Sequence, residues 1–302
     1  MRAGFHAPRS MIRILPGPLA VLLLAVLAPV ALAAFPAASE PALVFLAGKG
    51  EARSLPLSRL RADCAALEVE VDDPYHERRM RYLGLPLRCV LELGFAARGG
   101  ASSLADRTLL LRALDGYTRP VAGKELLAAG GVLAYGEPAR LASAEASSAF
   151  SPIGRRQVDP APFYLVWTQE GQNDPHDFPW PYQLAEIEVA SFEVAFPHTV
   201  PAGLEASDPG WKGYTLFQRA CAACHSINGE GGRVGPELNV PRSIVEYRPI
   251  EQIKAYVRDP ERFRYTSMPS HPELDDQDLD ALIAYFQAMR ARKHDPRSRS
   301  GS

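Results

Sequence analysis

Between residues 34 and 197, short apolar runs alternate with polar positions at a period of two. Leu43-Val44-Phe45-Leu46 and Leu67-Glu68-Val69-Glu70-Val71 predict strands, the second with clean alternation. Thr108 to Leu114 predicts a strand running into a turn at Asp115-Gly116, and Phe163 to Thr168 another. Leu184 to Phe196 reads as one long strand, with Ile187, Val189 and Phe192 set among polar neighbours. Leu85 to Leu93, opened by Pro86, reads as a short helix. Ala139 to Asp159, rich in Ala, Ser and Gly, reads as a mobile loop. After residue 208 the period becomes helical. Trp211 to Ala220 predicts an amphipathic helix, Pro249 to Asp259 a middle one, and Asp275 to Ala291 a last one carrying Leu279, Leu282, Ile283, Phe286 and Met289 at helical spacing. Asp275 suits the N-cap, and Asp276 and Asp278 place negative charge where the helix dipole favours it. The expected organisation is an α+β domain over 34–197, a linker over 198–207, an all-α domain over 208–291 and a disordered Arg/Ser-rich tail over 292–302.

Inside the helical region stands Cys221-Ala222-Ala223-Cys224-His225, the C-x-x-C-H pattern of covalent haem attachment. Two thiols three residues apart share one face of a helical turn and reach the two vinyl groups of one porphyrin. The adjacent His225 then supplies the proximal iron ligand. A zinc site would require a second pair at comparable spacing, and Cys64 and Cys89 lie far upstream and far from each other. A thioredoxin-like centre would require a strand before the motif, where an amphipathic helix stands instead. For a sixth ligand the chain offers Met80, Met268 and Met289 after its first residues. Met289 reads as a core contact, and Met80 lies in the other domain. Met268 sits in a loop before Pro269 and is the preferred ligand, with His271 as its rival. A His/Met iron would have the higher potential of the two, because thioether sulfur favours the ferrous state.

These motifs resemble class I c-type cytochromes over residues 208 to 291. Gly213 and Phe217 precede Cys221 as in that family's first helix, which implies a close crossing with the last helix. Gly235-Pro236-Glu237-Leu238 is similar to the family's Gly-Pro-x-Leu loop, which implies that the Pro236 carbonyl accepts the Nδ1 hydrogen of His225 and fixes its ring. Phe217, Tyr285 and Phe286 read as core, and the core of so small a domain is the haem itself. The resemblance implies one covalent haem c and single-electron transfer.

Composition is ordinary, 47% apolar and 23% charged, as for two soluble domains. Arg9 and Arg13 precede the apolar run Leu19 to Ala28, and Ala31-Leu32-Ala33 makes a small-residue exit. Residues 1–33 therefore read as a secretory signal peptide, with Met11 as an alternative start. Pro16, Pro18 and Pro29 leave too short a run to span a membrane comfortably. Export fits haem attachment and gives an expected location in the periplasm. Removing residues 1–33 takes away Arg2, Arg9 and Arg13 and no acid, leaving 30 basic against 35 acidic side chains. That balance argues against a nucleic-acid partner and suits redox partner proteins, soluble or membrane-bound. In an oxidising compartment Cys64 and Cys89 form either a disulfide worth about 3 kcal/mol or two buried thiols.

The first domain is similar, over about residues 40 to 195, to the molybdopterin-binding fold of the sulfite oxidase family. Tyr82-Leu83-Gly84-Leu85-Pro86-Leu87, with Val90-Leu91 after it, resembles the Gly-x-Pro-Leu-x-x-Leu-Leu segment. Asp115-Gly116-Tyr117, Leu133-Ala134-Tyr135 and Gln183 to Glu188 resemble later signatures in the same order. That family holds molybdenum through a cysteine just after the strand at Leu67 to Val71, and here the chain reads Asp72-Asp73-Pro74-Tyr75. A carboxylate is a poor substitute for soft thiolate. The export signal also lacks the twin arginine that carries proteins folded around a cytoplasmic cofactor. The expectation is a fold kept without molybdopterin.

Phe178-Pro179-Trp180-Pro181-Tyr182 reads either as an exposed recognition loop or as a packed corner under the last strand. His76, His176 and His198 are scattered, and a metal trio among them competes with ordinary surface or core roles. Arg78-Arg79 and Arg155-Arg156 read as solvated faces rather than anion sites. The leading expectation is a periplasmic mono-haem electron carrier with a docking domain and no catalytic residues. The alternative is a sulfite-dehydrogenase-like molybdenum oxidoreductase whose first domain is catalytic or binds a small oxyanion. A redox-sensing haem module is a third reading.

Overall fold

The computed structural model describes residues 40–48, 51–175 and 177–298. The segment read as a signal peptide and His176 lie outside the described residues. No helix among the described residues is long and apolar enough to cross a membrane.

The residues from Glu40 onward form one compact unit built around two apolar cores. The first half contributes β1 (Ala42–Ala47), β2 (Ala52–Pro56), α1 (Leu57–Asp63), β3 (Leu67–Asp73), β4 (Arg78–Pro86) and α2 (Leu87–Gly94). There follow β5 (Thr108–Ala113), β6 (Thr118–Ala122), α3 (Gly123–Leu126), β7 (Gly131–Gly136), α4 (Pro138–Leu141), β8 (Tyr164–Trp167), β9 (Leu184–Val189) and α5 (Phe192–Ala195). Five strands make a mixed sheet in the order β2-β1-β9-β5-β6, with β1 and β9 parallel; the other four make an antiparallel sheet in the order β3-β4-β7-β8. This half is α+β, as its mixed periodicity predicts. Cys64 and Cys89 are joined by a disulfide that ties the end of α1 to α2.

Two readings of this half are corrected. The strand predicted to Phe196 stops at Val189, because the Ser191 hydroxyl accepts the Val194 N–H at 3.3 Å and caps α5. The loop over 139–159 is anchored rather than free, since Phe150 and Ile153 are buried in the first core. The aromatic run is a packed corner: Trp180 is buried, its indole N–H donates to the Gln172 carbonyl at 2.8 Å, and Phe178 packs edge-on against Trp167.

The second half contains α6 (Pro209–Leu216), a wider π-helical turn at Phe217–Cys221, a short β10–β11 pair (Ser226–Ile227 with Glu230–Gly231), α7 (Ile244–Tyr247), α8 (Ile250–Arg258) and α9 (Asp276–Arg290). It is a helical region, and Asp275 caps α9 by accepting the Asp278 N–H at 2.8 Å. α6 and α9 cross closely at Gly213, where a Cβ would stand 1.9 Å from the Ala281 carbonyl oxygen.

The halves share a packed seam. Leu109, Leu110 and Leu111 of β5 are all fully buried; Leu109 and Leu111 face the first core, while Leu110 joins Phe192, Phe196 and Tyr214 in the second. A three-leucine run breaks the half-buried alternation because both faces of this strand are covered. The stretch read as a linker is packed, with Thr199 buried and its carbonyl accepting the Tyr285 hydroxyl at 2.8 Å. Residues 292–298, read as the start of a disordered tail, have partners: Arg292 donates to the Ala202 carbonyl, Lys293 pairs with Glu246, and the His294 ring stacks on His198 at 3.6 Å.

Candidate haem site

The widened turn at Phe217–Cys221 delivers Cys221, Cys224 and His225 to one corner of the helical region. The His225 N–H donates to the Cys221 carbonyl at 2.9 Å, closing a turn that carries both thiols and the imidazole. Both cysteines are free thiols. Burial pushes the Cys221 thiol up to about 12 and the Cys224 thiol up to about 11.

His225 is held from behind. Its Nδ1 lies 2.8 Å from the Pro236 carbonyl, and because a carbonyl only accepts, Nδ1 carries the proton and Nε2 keeps its lone pair. Burial lowers the pKa of the ring, which favours this neutral form. Gly235 lies flat against the imidazole, where a Cβ would come within 2.5 Å of Cε1.

Sequence reasoning missed the residue that braces this loop. The Glu237 carboxylate accepts the N–H groups of Asn228, Gly229, Asn239 and Val240 at 2.7 to 3.0 Å. Asn239, fully buried, donates to Asn228 Oδ1 and the Met289 carbonyl, both at 2.8 Å, and so ties the loop to α9. The available signal was a carboxylate in Gly235-Pro236-Glu237-Leu238 with asparagines on both sides.

Cys221, His225 and Pro236 line a cavity of about 470 Å³ whose remaining wall is mostly apolar. Leu238, Ile244, Ile253, Val257, Leu282 and Phe286 supply that wall, and Met268 reaches the same cavity. The Met268 N–H donates to Thr266 Oγ1 at 3.1 Å, which fixes its loop. His271 is buried with its Nδ1 2.9 Å from a Glu273 carboxylate oxygen, and it does not line this cavity. Met289 is in the core of α9 and Met80 in the first core. Cys224 is not among the residues that line the cavity; the neutral imidazole of His225 and the thioether of Met268 at this greasy space are a donor pair that fits haem iron, with the Cys221 thiol beside them.

His76 and His198 have separate partners. His76 Nδ1 lies 3.3 Å from Asp73, and His198 Nδ1 lies 2.5 Å from Glu230. Among the described residues no group of three or more His, Cys, Asp or Glu could hold a metal ion. Arg79 pairs with Glu70 and Asp72, and Arg155 lies over the Tyr265 ring.

Residues 211–290 match the family model of cytochrome c. The cytochrome c domain implies haem c binding and electron transfer. The chain is also 30% identical over 87 residues to cytochrome c oxidase subunit 2 of Alkalihalophilus pseudofirmus, a match that takes in 26% of this chain and 25% of that protein. The chain thus spans about a quarter of that relative's length.

Proposed function

We propose that this protein is a mono-haem electron carrier of the periplasm, with the haem bound through thioethers to Cys221 and Cys224 and its iron held by His225 and Met268. The observation that carries this reading is the shared cavity: Cys221, His225 and Met268 reach one apolar space, and His225 presents an unprotonated Nε2. Haem supplies a single-electron couple when bound. The protein contributes the rest. Pro236 and Glu237 keep the imidazole in one tautomer and orientation, the Met268 sulfur favours the reduced state, and the apolar wall excludes water. With His225 and Met268 both holding the iron, no position would be left open to a small substrate.

The first domain is proposed to lack molybdenum. Where the sulfite-oxidase resemblance requires a thiolate, Asp73 is buried, and its carboxylate accepts the Tyr82 hydroxyl at 2.8 Å and the Tyr75 and His76 N–H groups at 2.9 Å. A buried anion already committed to three donors is a poor host for an oxyanion or a dithiolene centre. Redox partner proteins are the expected donors and acceptors. Elemental analysis of the holoprotein from its native periplasm tests the reading: one haem iron and no molybdenum per chain supports a carrier, and near-equal molybdenum would make the protein an enzyme.

A further inference from the structure

The first domain does more than sit beside the cytochrome. The turn joining β5 to β6 is hydrogen-bonded directly to the haem-attachment loop: the Thr118 N–H donates to the Ala223 carbonyl at 2.9 Å, and the Arg233 N–H donates to the Gly116 carbonyl at 3.0 Å. Asp115 and Arg119, of opposite charge, flank this clamped turn and so lie beside the loop that carries Cys224. Asp115 is exposed, its Oδ1 accepting the Tyr117 N–H at 2.9 Å. Arg119 is half-buried and donates to the Pro175 carbonyl.

We infer that the first domain sets the reduction potential of the haem through this turn, with Asp115 stabilising the ferric state and Arg119 the ferrous state. The inference rests on the proposed haem at Cys221 and Cys224. The physical reason is that oxidation adds one positive charge to the iron, so a nearby anion favours it and a nearby cation opposes it. The backbone clamp ties the turn that both residues flank to the attachment loop. Their surroundings differ, so salt screens Asp115 more than Arg119.

Equilibrium redox titration of the full-length holoprotein at low and high salt tests this. Asp115→Asn keeps the acceptor for Tyr117 and is expected to raise the midpoint. Arg119→Gln is expected to lower it, and Arg119→Lys to restore it. Each shift should be on the order of fivefold to tenfold in the reduction equilibrium, where tenfold is about 59 mV for one electron. The Asp115→Asn shift should shrink at high salt while the Arg119→Gln shift persists. Should Arg119→Gln lose its haem, Asp115→Asn decides alone. A haem-loaded parent whose variants all titrate at the parent midpoint would overturn this inference and leave the carrier reading standing. A parent without a haem spectrum would overturn both.

Discussion

Asp73 shows how one side chain can change meaning between sequence and structure. In the sequence it marks a missing thiolate; in the fold it is a buried acceptor at the centre of a hydrogen-bonded cluster. Burial by itself would raise its pKa, but hydrogen bonds from His76 and Tyr82 outweigh that and hold it below the ordinary value of 3.8. A carboxylate depressed in the folded state adds stability that is complete above its unfolded pKa and is lost as pH falls through the folded one. Asp73→Ala should therefore cost about 1–3 kcal/mol in urea unfolding at pH 7, with the gap to the parent closing below pH 3.8. A gap that stays constant into strong acid would mean that the carboxylate charge is not what matters. This role was not legible because aspartate is usually exposed and its partners arrive only through the β3–β4 turn. His225 is the opposite case, since C-x-x-C-H points to its proposed role by spacing alone. Met268→Ala should open the iron to added imidazole and shift the absorption bands; an unchanged spectrum and potential would transfer the ligand role elsewhere.

Among elements, the helices of the second half were legible and their fine geometry was not. Asp275 at the N-cap and the apolar spacing along α9 lie where the periodicity puts them, because capping and amphipathicity are local. The π-helical turn at Phe217–Cys221 was not, because widening by one residue leaves the pattern of apolar positions almost unchanged. The α5 boundary was missed for a related reason: Val189 and Phe192 continue an alternation that Ser191 interrupts. The Gly213 crossing gives a sharp test. Gly213→Ala places a Cβ against the Ala281 carbonyl and forces α6 from α9, at an expected cost of about 1–3 kcal/mol read as a lower Tm. An unchanged Tm would show that the crossing relaxes freely.

At the level of the whole molecule, the sequence displayed two periodicities and therefore two halves, but not the seam between them. Leu110, Phe192 and Phe196 read as strand core and turn out to pack against the cytochrome region. The disulfide likewise could not be read from spacing, since nothing local states whether Cys64 and Cys89 meet. Replacing both with serine should lower stability by about 3 kcal/mol under oxidising conditions and make it insensitive to dithiothreitol. Equal stability of parent and variant in oxidant would show that the bridge constrains little.

The central claim is that Cys221 and Cys224 carry one haem covalently, and intact mass under denaturing conditions tests it most directly. The account predicts the polypeptide mass plus one haem, a c-type absorption band in alkaline pyridine, and loss of both in the Cys221→Ser/Cys224→Ser variant. Polypeptide mass alone, or haem that separates from the chain in acidified organic solvent, would contradict it.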